Sequence, residues 1–127
     1  MTNIDENFAA GRKVVRCYVY ASAAQSRPGV IEQQVQECRA LAGSLSTGSL
    51  NYRIVQVFQD DGASGWSGPR PGYEQMVAGL ERGDADAVLV LREDRLSRNP
   101  ATQQSYRELS ERLGITTYSA QADRFSR

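Results

Sequence analysis

The run Ala87-Val88-Leu89-Val90-Leu91 is apolar at every position, a pattern a strand sustains when both of its faces are covered. Such a strand belongs to a buried sheet. Its carboxyl end delivers the next segment of chain to the rim where open α/β sheets gather ligands. That segment contains Asp94-Arg95-Leu96-Ser97-Arg98-Asn99, ahead of Pro100 and a helix-like stretch. Arg95 and Arg98 each carry a planar, permanently charged fork that matches phosphate oxygens, so the stretch suggests a phosphate clamp of unspecified purpose.

The rest of the chain repeats this alternation. Val14 to Ala21 is mostly β-branched, aromatic or small and reads as a buried strand, with Ser22 at its end. After Pro28-Gly29, the spacing of Ile31, Val35, Cys38, Leu41, Ala42 and Leu45 predicts an amphipathic helix. Ser44 to Asn51 is polar and reads as a loop, and Tyr52 to Phe58 as a second strand. That strand runs into the acidic loop Asp60-Asp61-Gly62-Ala63-Ser64-Gly65 and then Trp66 to Gly72. Tyr73, Met76, Val77 and Leu80 predict a short helix ending near Gly83. Asn99 can cap, and Pro100 can open, a third helix with apolar Tyr106, Leu109 and Leu113 and Gly114 as its stop, before a short strand from Ile115 to Tyr118. The expected fold is α/β: a mostly parallel central sheet of about four to five strands flanked by helices on both faces.

Composition removes whole classes of chemistry. The chain has no histidine, which excludes serine–histidine catalysis, a histidine general base and most zinc sites. Cys17 on a strand and Cys38 on an apolar helix face read as core thiols, not as a disulfide or a metal pair. The net charge is zero, so nothing in the bulk balance points to nucleic acid. Lys13 is the single lysine beside fourteen arginines, a bias that codon composition explains as well as phosphate binding does. At 127 residues the chain suffices for one domain with a real core. No apolar run is long enough to span a bilayer, and residues 1–12 form a polar stretch without a signal-peptide core. They are expected to be a flexible tail, and the protein cytoplasmic.

Strand topology would bring Ser22, Asp60 or Asp61, Arg70, Asp94, Arg95 and Arg98 to one rim. Singly, each has a plain structural explanation as a turn former, a hydrated loop residue or a surface ion pair. Together they are similar to the serine recombinase family of resolvases, invertases and large phage-type integrases, with the large integrase branch nearest in spacing. Tyr18-Val19-Tyr20-Ala21-Ser22 resembles the family's first strand with its nucleophilic serine, and Ile31-Glu32-Gln33-Gln34 the start of its first helix. The acidic loop at Asp60, followed by Arg70-Pro71-Gly72, resembles the acidic loop and arginine motif of the integrase branch, and Asp94 to Asn99 the family's most specific motif.

The resemblance implies a resolvase-like fold and site-specific DNA recombination by a transesterification that uses neither metal nor other cofactor. The serine attacks a DNA phosphodiester, forms a 5′-phosphoserine link, releases a 3′-hydroxyl, and reseals after strand exchange. It assigns Ser22 as nucleophile, Arg70, Arg95 and Arg98 as phosphate and transition-state ligands, and Asp94 as a positioning or proton-transfer group. Gln34 and Gln25, with Asp60 and Asp61, would position the DNA phosphate. It further implies that residues 13–127 are a catalytic domain, monomeric on its own, whose DNA site and homodimeric or tetrameric assembly depend on parts beyond it.

One position departs from the family pattern. Two residues before the nucleophile the family carries arginine, and this chain has Tyr20. Strand alternation places Tyr18, Tyr20 and Ser22 on one face, so a neutral phenol stands where a guanidinium is expected. Loss of one preorganised charge commonly costs about a hundredfold in rate, so the alternative reading is an impaired domain kept for regulation or interaction. Arg16 has the same parity but lies too far upstream to substitute.

Overall fold

The computed structural model describes residues 13–23, 27–62, 70–92, 96 and 99–121. The elements run β1 (Lys13–Ala23), α1 (Val30–Leu45), β2 (Leu50–Asp61), α2 (Pro71–Glu81), β3 (Ala87–Val90), α3 (Pro100–Leu113) and β4 (Thr116–Ser119). The four strands form one sheet in the order β2-β1-β3-β4, and every pairing is parallel. α1 covers one face through Cys38 and Ala42, which pack on Cys17, Val19, Ala87 and Leu89. α2 and α3 cover the other, where Met76, Leu80, Tyr106 and Leu109 meet Tyr18, Tyr20, Phe58, Val88 and Val90. The expected three-layer α/β architecture is therefore the one observed, with four strands among the described residues. Among the described residues, no helix is long and apolar enough to cross a membrane.

Local chemistry accounts for most boundaries. Asn99 accepts a hydrogen bond from the Ala101 amide at 2.9 Å, Pro100 occupies the first turn of α3, and Gly114 ends it in the left-handed region at φ 71°. β3 is buried at all four positions, as its uninterrupted apolar run requires.

The larger departure is β2, predicted as Tyr52 to Phe58 and observed from Leu50 to Asp61. β1 offers it a backbone ladder from Lys13 to Ala23, and an edge strand keeps such a ladder while carrying polar side chains toward water. Within it the register slips: Cys17 is opposite Ile54 but Tyr18 is opposite Gln56. Val55 is the extra residue of a β-bulge, and it is the one large hydrophobic side chain among the described residues that is exposed. The bulge inverts side-chain parity along the strand. Tyr52, Ile54 and Val57 face α1, whereas Phe58 lies on the opposite face, packed edge-on to Tyr18 with ring centroids 4.7 Å apart.

Candidate active site

The strand order places the site. From β1 the chain moves to one side to form β2 and to the other to form β3, so loops leaving β1 and β3 diverge and open a crevice at their carboxyl ends. Ser22 stands at that switch point, one residue before β1 ends and directly opposite Asp60 of β2.

Gln34 fixes the Ser22 backbone. β3 ends at Val90 opposite Tyr20, two residues short of Ser22. The Gln34 amide supplies what a longer strand would: its oxygen accepts from the Ser22 N–H at 3.1 Å and its nitrogen donates to the Ser22 carbonyl at 2.8 Å. Gln34 is only 2% exposed, one turn after Ile31 on the buried stripe of α1. A glutamine in an apolar stripe is stable there because both ends of its amide are satisfied.

On the α2 side of β1, Asp60 is the hub. Its carboxylate accepts from the Gly72 and Tyr73 amides at 2.8 and 2.9 Å, anchoring the first turn of α2, and from the Tyr20 hydroxyl at 2.6 Å. The amides at a helix start carry partial positive charge, so they stabilise a carboxylate that is 5% exposed. Asp60 reaches them because the bulge at Val55 has turned it to this face. Gly72 permits the approach: a Cβ there would sit 2.3 Å from the Gln59 carbonyl oxygen. This supplies a physical reason for the glycine of Arg70-Pro71-Gly72.

Arg70 lies against the same group. One of its terminal nitrogens, Nη2, donates to the Tyr20 hydroxyl at 3.3 Å and to the Leu96 carbonyl. Its guanidinium carbon lies 4.3 Å from the Tyr73 ring centroid and 5.6 Å from that of Tyr20. The two rings meet edge-on at 5.8 Å. Burial first, then the hydrogen bond to Asp60, pushes the Tyr20 phenol well above the usual tyrosine range, so it is neutral. Leu96 is buried among Tyr20, Phe58 and Met76, and its carbonyl ties Arg70 to the stretch that carries Arg95 and Arg98 in sequence.

Of the sequence-derived candidates, the structure thus brings Ser22, Gln34, Asp60 and Arg70 to one rim, with Tyr20 among them. Asp61 follows Asp60 and is exposed. Gln25, Asp94, Arg95 and Arg98 lie outside the described residues. Arg16 is committed elsewhere, in a two-bond pair with Asp86 at 2.9 and 3.0 Å near the opposite end of the sheet. Tyr73 and the Leu96 carbonyl were not legible as partners of Arg70, because each contact joins segments that no sequence spacing links. Among the described residues, no group of three or more histidine, cysteine, aspartate or glutamate side chains could hold a metal ion.

The model of the family described as Resolvase, N terminal domain, matches residues 17–126. No curated protein sequence matches the chain. Several solved structures share the fold. The C-terminal catalytic domain of ISC1926 TnpA, an IS607-like serine recombinase, is 23% identical and superimposes with a TM-score of 0.72, covering 86% of this chain and 72% of that one. The N-terminal catalytic domain of TP901-1 integrase is 21% identical with a TM-score of 0.71, covering 83% and 77%. A resolvase family site-specific recombinase from Streptococcus pneumoniae is 24% identical with a TM-score of 0.69, covering 84% and 72%.

Proposed function

Because the chain belongs to the resolvase family by its N-terminal domain, we propose that it is the catalytic domain of a serine recombinase that cuts and rejoins DNA through Ser22. The observation that carries this reading is the pairing of Ser22, held at the switch point by Gln34, with Arg70 anchored to the same rim through Tyr20 and Asp60.

In the proposed reaction the Ser22 Oγ forms a bond to the scissile phosphorus as the bond from phosphorus to the 3′-oxygen breaks. The proton lost by the serine is balanced by the proton gained at the released 3′-hydroxyl. One phosphodiester is exchanged for another, so the covalent step conserves bond energy and calls for no nucleotide. Arg70, with Arg95 and Arg98, offsets negative charge building on the non-bridging oxygens, and Asp94 assists proton transfer or positioning. The DNA partner and assembly into homodimers or tetramers belong to this same reading.

The test uses the natural full-length protein incubated with fragmented DNA of its own genome and quenched in denaturant. DNA recovered on protein, with the link mapped to Ser22 and a free 3′-hydroxyl opposite, is the expected result. An adduct that persists in Ser22→Ala would exclude Ser22 as nucleophile.

Tyr20 favours a second reading, an impaired domain with a regulatory or interaction role. On that reading the native protein forms no adduct and Tyr20→Arg restores one. Robust cleavage by the native protein discards it.

A further inference from the structure

We propose that Tyr20 is a positioning residue for Arg70, holding Nη2 of the guanidinium so that its remaining N–H groups face the scissile phosphate. The inference rests on the recombinase reading and concerns how its site is held.

Two features of the geometry carry it. First, the hydrogen bonds have a direction. The Tyr20 hydroxyl has one proton, and Asp60 takes it at 2.6 Å, which leaves the oxygen lone pairs toward Arg70 Nη2. Asp60 is itself held by the Gly72 and Tyr73 amides, so the relay is anchored to the helix that begins one residue after Arg70. Tyr20 is fully buried, and its ring has no other place to go. A hydroxyl locked in this way defines where Nη2 sits.

Second, among the described residues one guanidinium nitrogen of the three is used. Both side-chain hydrogen bonds of Arg70 to described residues come from Nη2, and the guanidinium stacks on Tyr73. Among the described residues, Nε and Nη1 take no partner. The Nε–H and the two Nη1–H groups, three of the five donors, are kept for an oxyanion, each as a single charge-assisted bond, because either two-nitrogen fork of a guanidinium includes Nη2. Because the phenol is neutral, it fixes Arg70 without cancelling its charge. A direct pairing of Arg70 with Asp60 would commit that charge to the protein. Tyr20 therefore separates the buried carboxylate from the arginine while linking them mechanically.

The experiment compares native protein with Tyr20→Phe, which keeps the ring and deletes the hydroxyl. Adduct formation is followed under single-turnover conditions with DNA in excess, DNA affinity is measured separately, and the Arg70 side chain is observed by ¹⁵N NMR. The expected result is a fall of about ten- to a hundredfold in the plateau rate of adduct formation with DNA affinity unchanged, since misplacement of a positioned group acts on the chemical step. The native protein should show slowly exchanging Arg70 side-chain signals, and these should broaden or vanish in the variant. A merely structural role would lower melting temperature but leave the plateau rate intact, and that outcome overturns the proposal.

Should the variant not fold, the native protein decides. A protected Tyr20 hydroxyl proton with a cross-peak to the Arg70 guanidinium supports the relay, and its absence refutes it. If native protein forms no adduct at all, the recombinase reading fails, and the NMR comparison alone tells whether Tyr20 holds Arg70.

Discussion

Gln34→Met exchanges the buried amide for an unbranched apolar side chain of similar length, so packing is nearly kept and hydrogen bonding is lost. In the native protein the amide satisfies both the N–H and the carbonyl of Ser22, at 3.1 and 2.8 Å. Each backbone group left unsatisfied costs about 1–3 kcal/mol. Ser22 is half-buried, so water can partly replace the lost partners and the sum falls near the low end, about 3 kcal/mol. For 127 residues the entropy of unfolding is about 0.27 kcal/mol/K, which converts that loss to a fall of about 11 °C in melting temperature. Calorimetry gives the melting temperature, and hydrogen exchange gives the protection of the Ser22 amide, which should drop together with it. Gln34→Glu adds a sign test. At neutral pH its carboxylate can accept from the Ser22 N–H but faces the Ser22 carbonyl with a second acceptor, so it should be at least as destabilising. Burial beside a carbonyl raises the folded-state pKa of the introduced acid, so the protonated form is favoured by folding. Stability should therefore recover as pH falls toward the unfolded carboxyl range and be lost again as pH rises through the folded value. A Gln34→Met protein that melts within about 2 °C of native with the Ser22 amide still protected would show that Gln34 does not hold the Ser22 backbone.

Three further outcomes are expected from the packing. Gly72→Ala would place a Cβ 2.3 Å from the Gln59 carbonyl oxygen, and Gly79→Ala would place one 2.2 Å from the Tyr18 hydroxyl. Each should cost about 1–3 kcal/mol in denaturant unfolding, and Tyr18→Phe should recover part of the Gly79→Ala loss but none of the Gly72→Ala loss. Burial pushes Cys17 and Cys38 up to about 11, so neither thiol should be alkylated at pH 8 in the folded protein. Folding holds those protons more tightly than the unfolded chain does, so the associated stability is intact below about pH 9 and declines between about 9 and 11, a decline that Cys38→Ala should lessen in a melting series. Asn99→Ala removes the bond to the Ala101 amide and should cost about 1 kcal/mol by chemical denaturation, with faster exchange confined to the first turn of α3.

The features legible in the sequence are local in origin. The apolar run at Ala87, the stripe of α1, the cap and proline at Asn99-Pro100 and the stop at Gly114 each act within a few residues, and each element forms where its own chemistry puts it. The parallel α/β architecture is a consequence, since that alternation has few ways to bury its apolar faces. The position of Ser22 at a strand end and the grouping of Asp60 with Arg70 are legible for the same reason. Which way the site residues point, and what they hold, is settled instead by how distant segments pack. The bulge at Val55 depends on how an edge strand meets β1, and it turns Phe58 and Asp60 to the face of Tyr20 against simple alternation. The bonds from Gln34 to Ser22, from Tyr20 to Asp60 and from Arg70 to Leu96 span 12 to 40 residues of sequence, and no spacing rule reaches that far. In the sequence Tyr20 is a missing charge; in the folded protein its hydroxyl joins the buried carboxylate of Asp60 to Arg70, a partnership that exists only because three separate strand and helix ends meet at one rim.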